Sequence, residues 1–312
     1  MSTVIQVQGS TVKTDLQERL DFWIESFLFD RKAQNMAAGT LTYYQVKLRN
    51  FALYCDSQSI TRIDQITPDV LRKFMTWLEE TGHNAGGRHA LYRAIKTFLL
   101  WYESEEEPDN WKNPIRKVKA PKVPIEPLDP ISLEDVKAME DACDKSFLGC
   151  RDKAILLTLI DTGARAAELL AMDLIDVDLV TGFVLIRQGK GHKPRSVFFG
   201  AKSKKALRQY IKFRSDDSPA LFITGSASRL TYSGLVRVIT HRAKLAKIKP
   251  HGLHSFRRQF ALTMLRAGVD LASLARLMGH SNLVVLMRYL KQLPIDLQLA
   301  HQRAGPVDNT DL

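Results

Sequence analysis

The feature that most constrains this chain is the stretch EEEPDNWKNPIRKVKAPKVPIEPLDP, residues 105–130, where Pro108, Pro114, Pro121, Pro124, Pro127 and Pro130 recur every few residues. Proline fixes φ at about −65°, lacks an amide proton and clashes with the preceding helical turn. Neither a long helix nor a central strand can run through such a stretch, so the chain must build its cores on either side of it. With 312 residues there is length for two cores. We therefore expect a flexible start over 1–14, a helical domain over 15–104, a stiff extended linker over 105–130, and a second, mixed domain over 131–312. The fold class is mainly α with a small antiparallel sheet (α+β).

The first block is patterned for helices throughout. Tyr44, Leu48, Phe51 and Cys55 recur at helical spacing, as do Leu91, Ile95, Phe98 and Tyr102. Thr67-Pro68 reads as an N-cap followed by proline at the first helical position, ahead of Val70, Leu71, Phe74, Trp77 and Leu78. Each pattern describes a helix with one buried stripe.

Charge then narrows the partners. Lys and Arg number 45 against 34 Asp and Glu, a net charge of +11 that favours a polyanion such as nucleic acid. Arg88, His89, Arg93 and Lys96 form a stripe on one helix that fits a phosphate backbone or a solvated face. Arg116, Lys117, Lys119 and Lys122 extend the charge into the linker. The longest apolar runs, such as AILLTLI at Ala154–Ile160, fall far short of the roughly 20 residues that span a bilayer, and MSTVIQVQGSTVKTD carries no signal-peptide core. The expectation is a cytoplasmic, nucleoid-associated protein with no membrane partner. The three cysteines, Cys55, Cys143 and Cys150, have no CxxC spacing and read as small buried apolar residues, with neither a disulfide framework nor a metal site.

The second block opens with a helix capped by Ser132 and supplied with Glu134 and Asp135 in its first turn. Phe183–Gln188 and Arg195–Gly200 are β-prone runs flanking the turn GKGHKP, an antiparallel hairpin. Helical patterns surround it, over 202–213, 233–246, 254–267 and 271–278. Four clusters could carry chemistry. In DTGARAAELL, Gly163 breaks a helix, Arg165 begins the next, and Glu168 at i+3 is placed to orient the guanidinium towards an anion. The hairpin turn carries Lys190, His192, Lys193 and Arg195. In HGLHSFRRQFALTML, His254 and Arg257 share one helix face while Phe256, Phe260 and Met264 fall on another; His251 offers a second register, but His254 stands where it would need an arginine. The last cluster is MGHSNLVVLMRYLKQ, with His280 nine residues before Tyr289.

Taken in order, TGAR, a lysine in a β-hairpin turn, HSFR, GH and a tyrosine nine residues on, this set resembles the tyrosine recombinase (phage integrase) family. TGARAAELL is similar to the family's first-arginine motif, giving Arg165 with Glu168 in support. GKGHKPR is similar to its hairpin-lysine motif, giving Lys190; HSFRRQFA to its H-x-x-R box, giving His254 and Arg257; and LMGHSNLVVLMRY to its closing box, giving His280 and Tyr289. The departures are Arg258 where many members have a second histidine, Met278 for a commoner leucine, and Ala164 for a larger apolar residue. Arg258 and Lys193 are further candidate phosphate contacts; for Arg258 a salt bridge is the alternative.

The resemblance implies a helical core-binding domain that grips DNA, followed by a catalytic domain with a C-terminal tail. In that scheme Arg165 and Arg257 clamp the scissile phosphate, Tyr289 is the nucleophile, His254 takes its proton, Lys190 protonates the departing 5′ oxygen, and His280 hydrogen-bonds the phosphate. The product is a 3′-phosphotyrosyl link whose conserved bond energy allows rejoining without ATP. No cofactor is implied, and no GxxxxGK[ST] or carboxylate cluster calls for nucleotide or Mg²⁺ chemistry. The expected assembly is a homo-tetramer on two duplexes, with a free monomer and accessory DNA-bending or directionality proteins as further possibilities. The biological task is integration or excision on a mobile element, or dimer resolution. A type IB topoisomerase-like reaction and a catalytically silent DNA-binding protein are the alternatives. The residues after Tyr289, interrupted by Pro294, read as a helical tail able to pack on a neighbour or as a frayed terminus.

Overall fold

In the computed structural model, residues 19–108, 111–124, 129–187 and 194–279 are described, with isolated positions 298, 301, 302, 305 and 307. The chain divides between Glu126 and Pro127 into two compact units. Among the described residues both are mainly helical, and a single two-stranded antiparallel sheet lies in the second. No described helix is long and apolar enough to cross a membrane.

Among its described residues the first unit holds four α-helices, α1 (Leu20–Ala33), α2 (Ala38–Ser57), α3 (Pro68–Glu80) and α4 (Ala85–Glu106), followed by a 3-10 turn at Pro114–Lys117. Thr67 caps α3 as expected, its hydroxyl accepting from the Val70 amide at 3.3 Å. The helical stripes meet in an aromatic core in which the buried ring of Phe27 lies 5.1 Å from Tyr44, 5.7 Å from Phe98 and 5.4 Å from Trp101, all edge-on. Trp77 departs from its reading as a core residue. It is 39% exposed, its ring leaning on Tyr54, 5.3 Å away, and on Phe74, 5.9 Å away.

The extended reading of 105–130 is corrected for its first half. α4 continues to Glu106, and Ile115 and Val118 then bury themselves in the first unit's core. Buried Asn113 holds the return, donating to the Leu99 carbonyl at 2.9 Å and accepting from the Ile115 amide at 3.1 Å, while the Tyr92 hydroxyl donates to the Val118 carbonyl at 2.7 Å. The prolines deny helix, as reasoned, but short apolar residues between them still find a core.

The second unit contains α5 (Leu133–Asp141), α6 (Phe147–Thr162), α7 (Ala166–Ala171), β1 (Phe183–Ile186), β2 (Arg195–Phe198), α8 (Ala201–Ile211), α9 (Tyr232–Leu245), α10 (Leu253–Arg266) and α11 (Leu271–Met278). Ser132 caps α5 through the Asp135 amide at 2.9 Å. β1 and β2 form the expected hairpin, Phe183 opposite Phe198 and Ile186 opposite Arg195. Val184, Ile186 and Val197 face the core, and the outer Phe183 and Phe198 pair edge-on. Residues 188–193 of the turn lie outside the described residues.

α6 is the buried axis of this unit, with α5, α8, α10 and β2 packed around it. Its Asp152, 3% exposed, is held by two arginines that are themselves buried. Arg151 donates to Oδ1 at 2.9 and 2.7 Å, and Arg242 of α9 donates to Oδ2 at 2.8 Å. Arg151 Nη1 also donates to the Ile223 carbonyl at 3.1 Å, and Arg242 Nη1 to the Ala142 carbonyl at 3.0 Å. This cluster ties α5, α6, α9 and the Ala220–Ile223 segment into one frame, and α6 delivers the chain directly to the candidate site.

Candidate active site

α6 ends at Gly163 with φ +58°, and a Cβ there would sit 2.4 Å from Phe260 Cδ1. Both the left-handed turn and the close approach of α10 therefore require glycine. Arg165 follows in extended conformation (φ −70°, ψ 152°) as the N-cap of α7. Glu168, one turn on, accepts the Arg165 amide at 2.7 Å and the Arg165 Nη1 at 2.7 Å. One carboxylate thus satisfies an orphan helix donor and aims the side chain of the same residue.

Glu168 holds a second arginine whose importance its position in a basic turn conceals. Arg195 opens β2, and its side chain is only 8% exposed. Its Nη1 and Nη2 donate to Glu168 Oε1 and Oε2, both at 2.7 Å, and its Nε donates to the Leu277 carbonyl at 2.9 Å. Burial alone would raise the Glu168 carboxyl, but the hydrogen bonds from Arg195 and from the Arg165 amide, with the Arg195 charge, bring it down to about 2. The carboxylate is ionised at neutral pH and shared between two guanidinium groups.

Arg257 lies one turn after His254 on α10. It is 4% exposed, with Nη1 donating to the Gly163 carbonyl at 2.5 Å and Nη2 to the Met278 carbonyl. The i, i+3 spacing from His254 is real, yet α10 is covered on that side by the α6–α7 turn and the end of α11. His254, in the first turn of α10, remains exposed. Partial desolvation, then the charges of Arg257, Arg258 and Arg165, lower its pKa, leaving the imidazole neutral at pH 7. Arg258 is half-buried and forms no ion pair among the described residues.

The three arginines converge on one helix end. The last carbonyls of an α-helix have no partner within it, and here Leu277, Met278 and Gly279 at the close of α11 each accept from a different guanidinium: Arg195, Arg257 and, at 3.2 Å, Arg165. The structure therefore brings together Arg165, Glu168, His254 and Arg257, and adds Arg195. His280, Tyr289, Lys190 and Lys193 lie outside the described residues.

Comparisons with known proteins bear on this geometry. Residues 131–294 match the phage integrase family and residues 24–106 match the phage integrase N-terminal SAM-like domain. The chain belongs to the phage integrase family. The tyrosine recombinase XerC of Myxococcus xanthus is 31% identical over 278 residues, 86% of this chain and 91% of that protein. The tyrosine recombinase XerA of Pyrococcus furiosus is 28% identical over 246 residues, 77% and 82% of the two chains. In fold, the Tn1549 transposon integrase, solved with a circular intermediate DNA, superposes at TM-score 0.74 with 15% identity, covering 92% of this chain and 99% of that one. Lambda integrase, solved as a dimer on a core site, superposes at 0.70 with 14% identity, covering 86% and 97%.

The SAM-like unit of this integrase-family chain divides the basic stripe read from the sequence. Arg88 pairs with Glu79 at 2.6 Å, and the half-buried His89 donates from Nδ1 to the Pro121 carbonyl at 3.0 Å. Arg93 and Lys96 remain exposed. Arg116 is held by Glu103 at 2.8 Å. Lys117 and Lys119 join Arg72 and Arg88 around a groove between α3 and the 117–121 segment. Arg72, which donates to the Lys117 carbonyl at 3.2 Å, was not singled out by sequence; its only signal was an exposed i+4 position from Pro68 on an amphipathic helix.

Proposed function

We propose that this chain is a site-specific DNA recombinase that cuts and rejoins strands through a 3′-phosphotyrosyl intermediate. The observation that carries this reading is that Arg165 from the α6–α7 turn and Arg257 from α10 converge on the end of α11, with His254 one turn before Arg257 on α10 and within reach of both charges. A phosphodiester resists attack because it is anionic and its leaving alkoxide is poor. Arg165 and Arg257, permanently charged and fixed by the protein, neutralise the phosphoryl oxygens as negative charge builds in the transition state. Tyr289 Oη forms the new bond to phosphorus as the bond to the 5′ oxygen breaks. Its proton passes to His254, whose lowered pKa suits a base, and Lys190 supplies the proton that leaves with the 5′ hydroxyl. His280 hydrogen-bonds a phosphoryl oxygen. Attack by another strand's 5′ hydroxyl reverses every step and releases Tyr289.

Double-stranded DNA is the partner, held by the SAM-like unit through Arg93, Lys96, Lys117 and Lys119, with Arg258 and Lys193 adding phosphate contacts. Strand exchange between two sites calls for four protomers on two duplexes, assisted where needed by DNA-bending or directionality proteins, at the nucleoid of the cytoplasm. The names of the XerC and XerA relatives favour exchange over simple relaxation, and those of the transposon and phage integrases keep mobile-element integration beside dimer resolution. The test is covalent capture: incubate the protein with a pool of genomic fragments, denature, and recover protein-linked DNA. Wild-type protein is expected to enrich one sequence linked through a 3′ end and Tyr289→Phe none; an adduct that survives Tyr289→Phe, or none from wild-type protein, refutes the proposal.

A further inference from the structure

We propose that Arg195 is a positioning residue of the reaction: it balances Glu168 so that the charge of Arg165 stays available to the phosphate, and it ties that pair to the end of α11. This rests on the recombinase reading above. Glu168 holds one negative charge, and with Arg165 as its sole partner the two would neutralise each other. Arg195 takes both carboxylate oxygens at 2.7 Å, so Arg165, Arg195 and Glu168 together retain a net positive charge facing the site. The Arg195 fork is buried and fully committed, with its third donor on the Leu277 carbonyl, whereas the Arg165 side chain is 23% exposed. One arginine is structural support and the other meets the anion.

Geometry gives Arg195 a second task. It stands at the first residue of β2, adjoining the turn that carries Lys190. Its guanidinium also presses on Gly279, where a Cβ would lie 3.0 Å from both Arg195 Cδ and Nη1. Gly279 has φ +62° and closes α11. A displacement of Arg195 would therefore disturb the Glu168–Arg165 pair, the hairpin and the residue preceding His280 together. A reacting group displaced by about 1 Å can lose about 100-fold in rate.

The test compares Arg195→Met, Glu168→Gln and the double variant in covalent capture on the duplex recovered with wild-type protein. Arg195→Met is expected to slow adduct formation about 100-fold with duplex affinity little changed. Adding Glu168→Gln removes the unbalanced charge while keeping an acceptor for Arg165, and is expected to restore rate over Arg195→Met alone. A purely structural arginine would show no such rescue. Arg195→Met within about threefold of wild type, or a double variant no faster than the single one, overturns the inference. A second readout needs neither cleavage nor DNA: Arg195→Lys, which keeps charge and loses the fork, should speed hydrogen exchange about tenfold in the last turn of α11 and leave the first unit unchanged. Unchanged exchange there overturns the inference even if wild-type protein fails to cleave, an outcome that by itself refutes only the recombinase reading.

Discussion

Replacing Asp152 by alanine should expose how much of the second unit depends on one buried charge. Asp152 is 3% exposed and its two partners, Arg151 and Arg242, are 7% and 4% exposed. Truncation removes the acceptor of three guanidinium hydrogen bonds between 2.7 and 2.9 Å and leaves two buried positive charges facing each other. Breaking a buried pair by removing one partner costs about 3–5 kcal/mol, because the stranded charge keeps its desolvation penalty. Two stranded arginines put Asp152→Ala at the upper end, about 5 kcal/mol. For a unit of this size each kcal/mol shifts Tm by about 2–4 °C, so the loss is about 10–20 °C. Asp152→Asn keeps one carbonyl acceptor and should lose roughly half as much. The assay has a built-in control, since all four tryptophans, at 23, 77, 101 and 111, lie in the first unit. Far-UV circular dichroism follows both units, while tryptophan fluorescence follows only the first. A shift below about 1 kcal/mol in circular dichroism for Asp152→Ala would refute the reasoning and class the cluster with exposed pairs.

Glu168 should set an acid limit on stability. Its carboxyl lies at about 2 in the fold against an ordinary value of 4.5, so the ionised form stabilises the native state above pH 4.5. That contribution, on the order of 3 kcal/mol, is lost as pH falls from 4.5 towards 2; denaturant titrations should show a flatter curve over that window for Glu168→Gln. Burial raises the thiols of Cys55 to about 12 and Cys143 to about 11, and raises Cys150 as well. Alkylation at pH 8 should therefore be slow until denaturant is added. The double substitution Arg93→Ala, Lys96→Ala should lower the salt slope of DNA binding by about two, one for each phosphate no longer neutralised. Arg88→Ala should act mainly on the fold, because Arg88 is already committed to Glu79.

What the chain alone determined is what neighbouring residues dictate. Leu48, Phe51 and Cys55, or Leu91, Ile95 and Phe98, repeat at the period of a helix whatever else the protein does, so those stripes became the first unit's core. Thr67 and Ser132 cap their helices because an N-cap needs a hydroxyl only three residues from the amide it serves. The hairpin was readable from two β-prone runs around a glycine-marked turn. Within the candidate site, Arg165 and Glu168 were readable as a pair for the same reason, being three residues apart. Tertiary structure decided the rest. Arg195 meets Glu168 across 27 residues and Leu277 across 82, and Arg242 meets Asp152 across 90. At such separations no periodicity links the partners, and each of these arginines looks in sequence like any solvated cation. Whether a charge lies on the surface or inside depends on finding, at one point in space, enough acceptors to offset its lost hydration. Six helices, α5, α6, α7, α9, α10 and α11, and the strand β2 had to converge before Arg195, Arg242 and Arg257 had that environment.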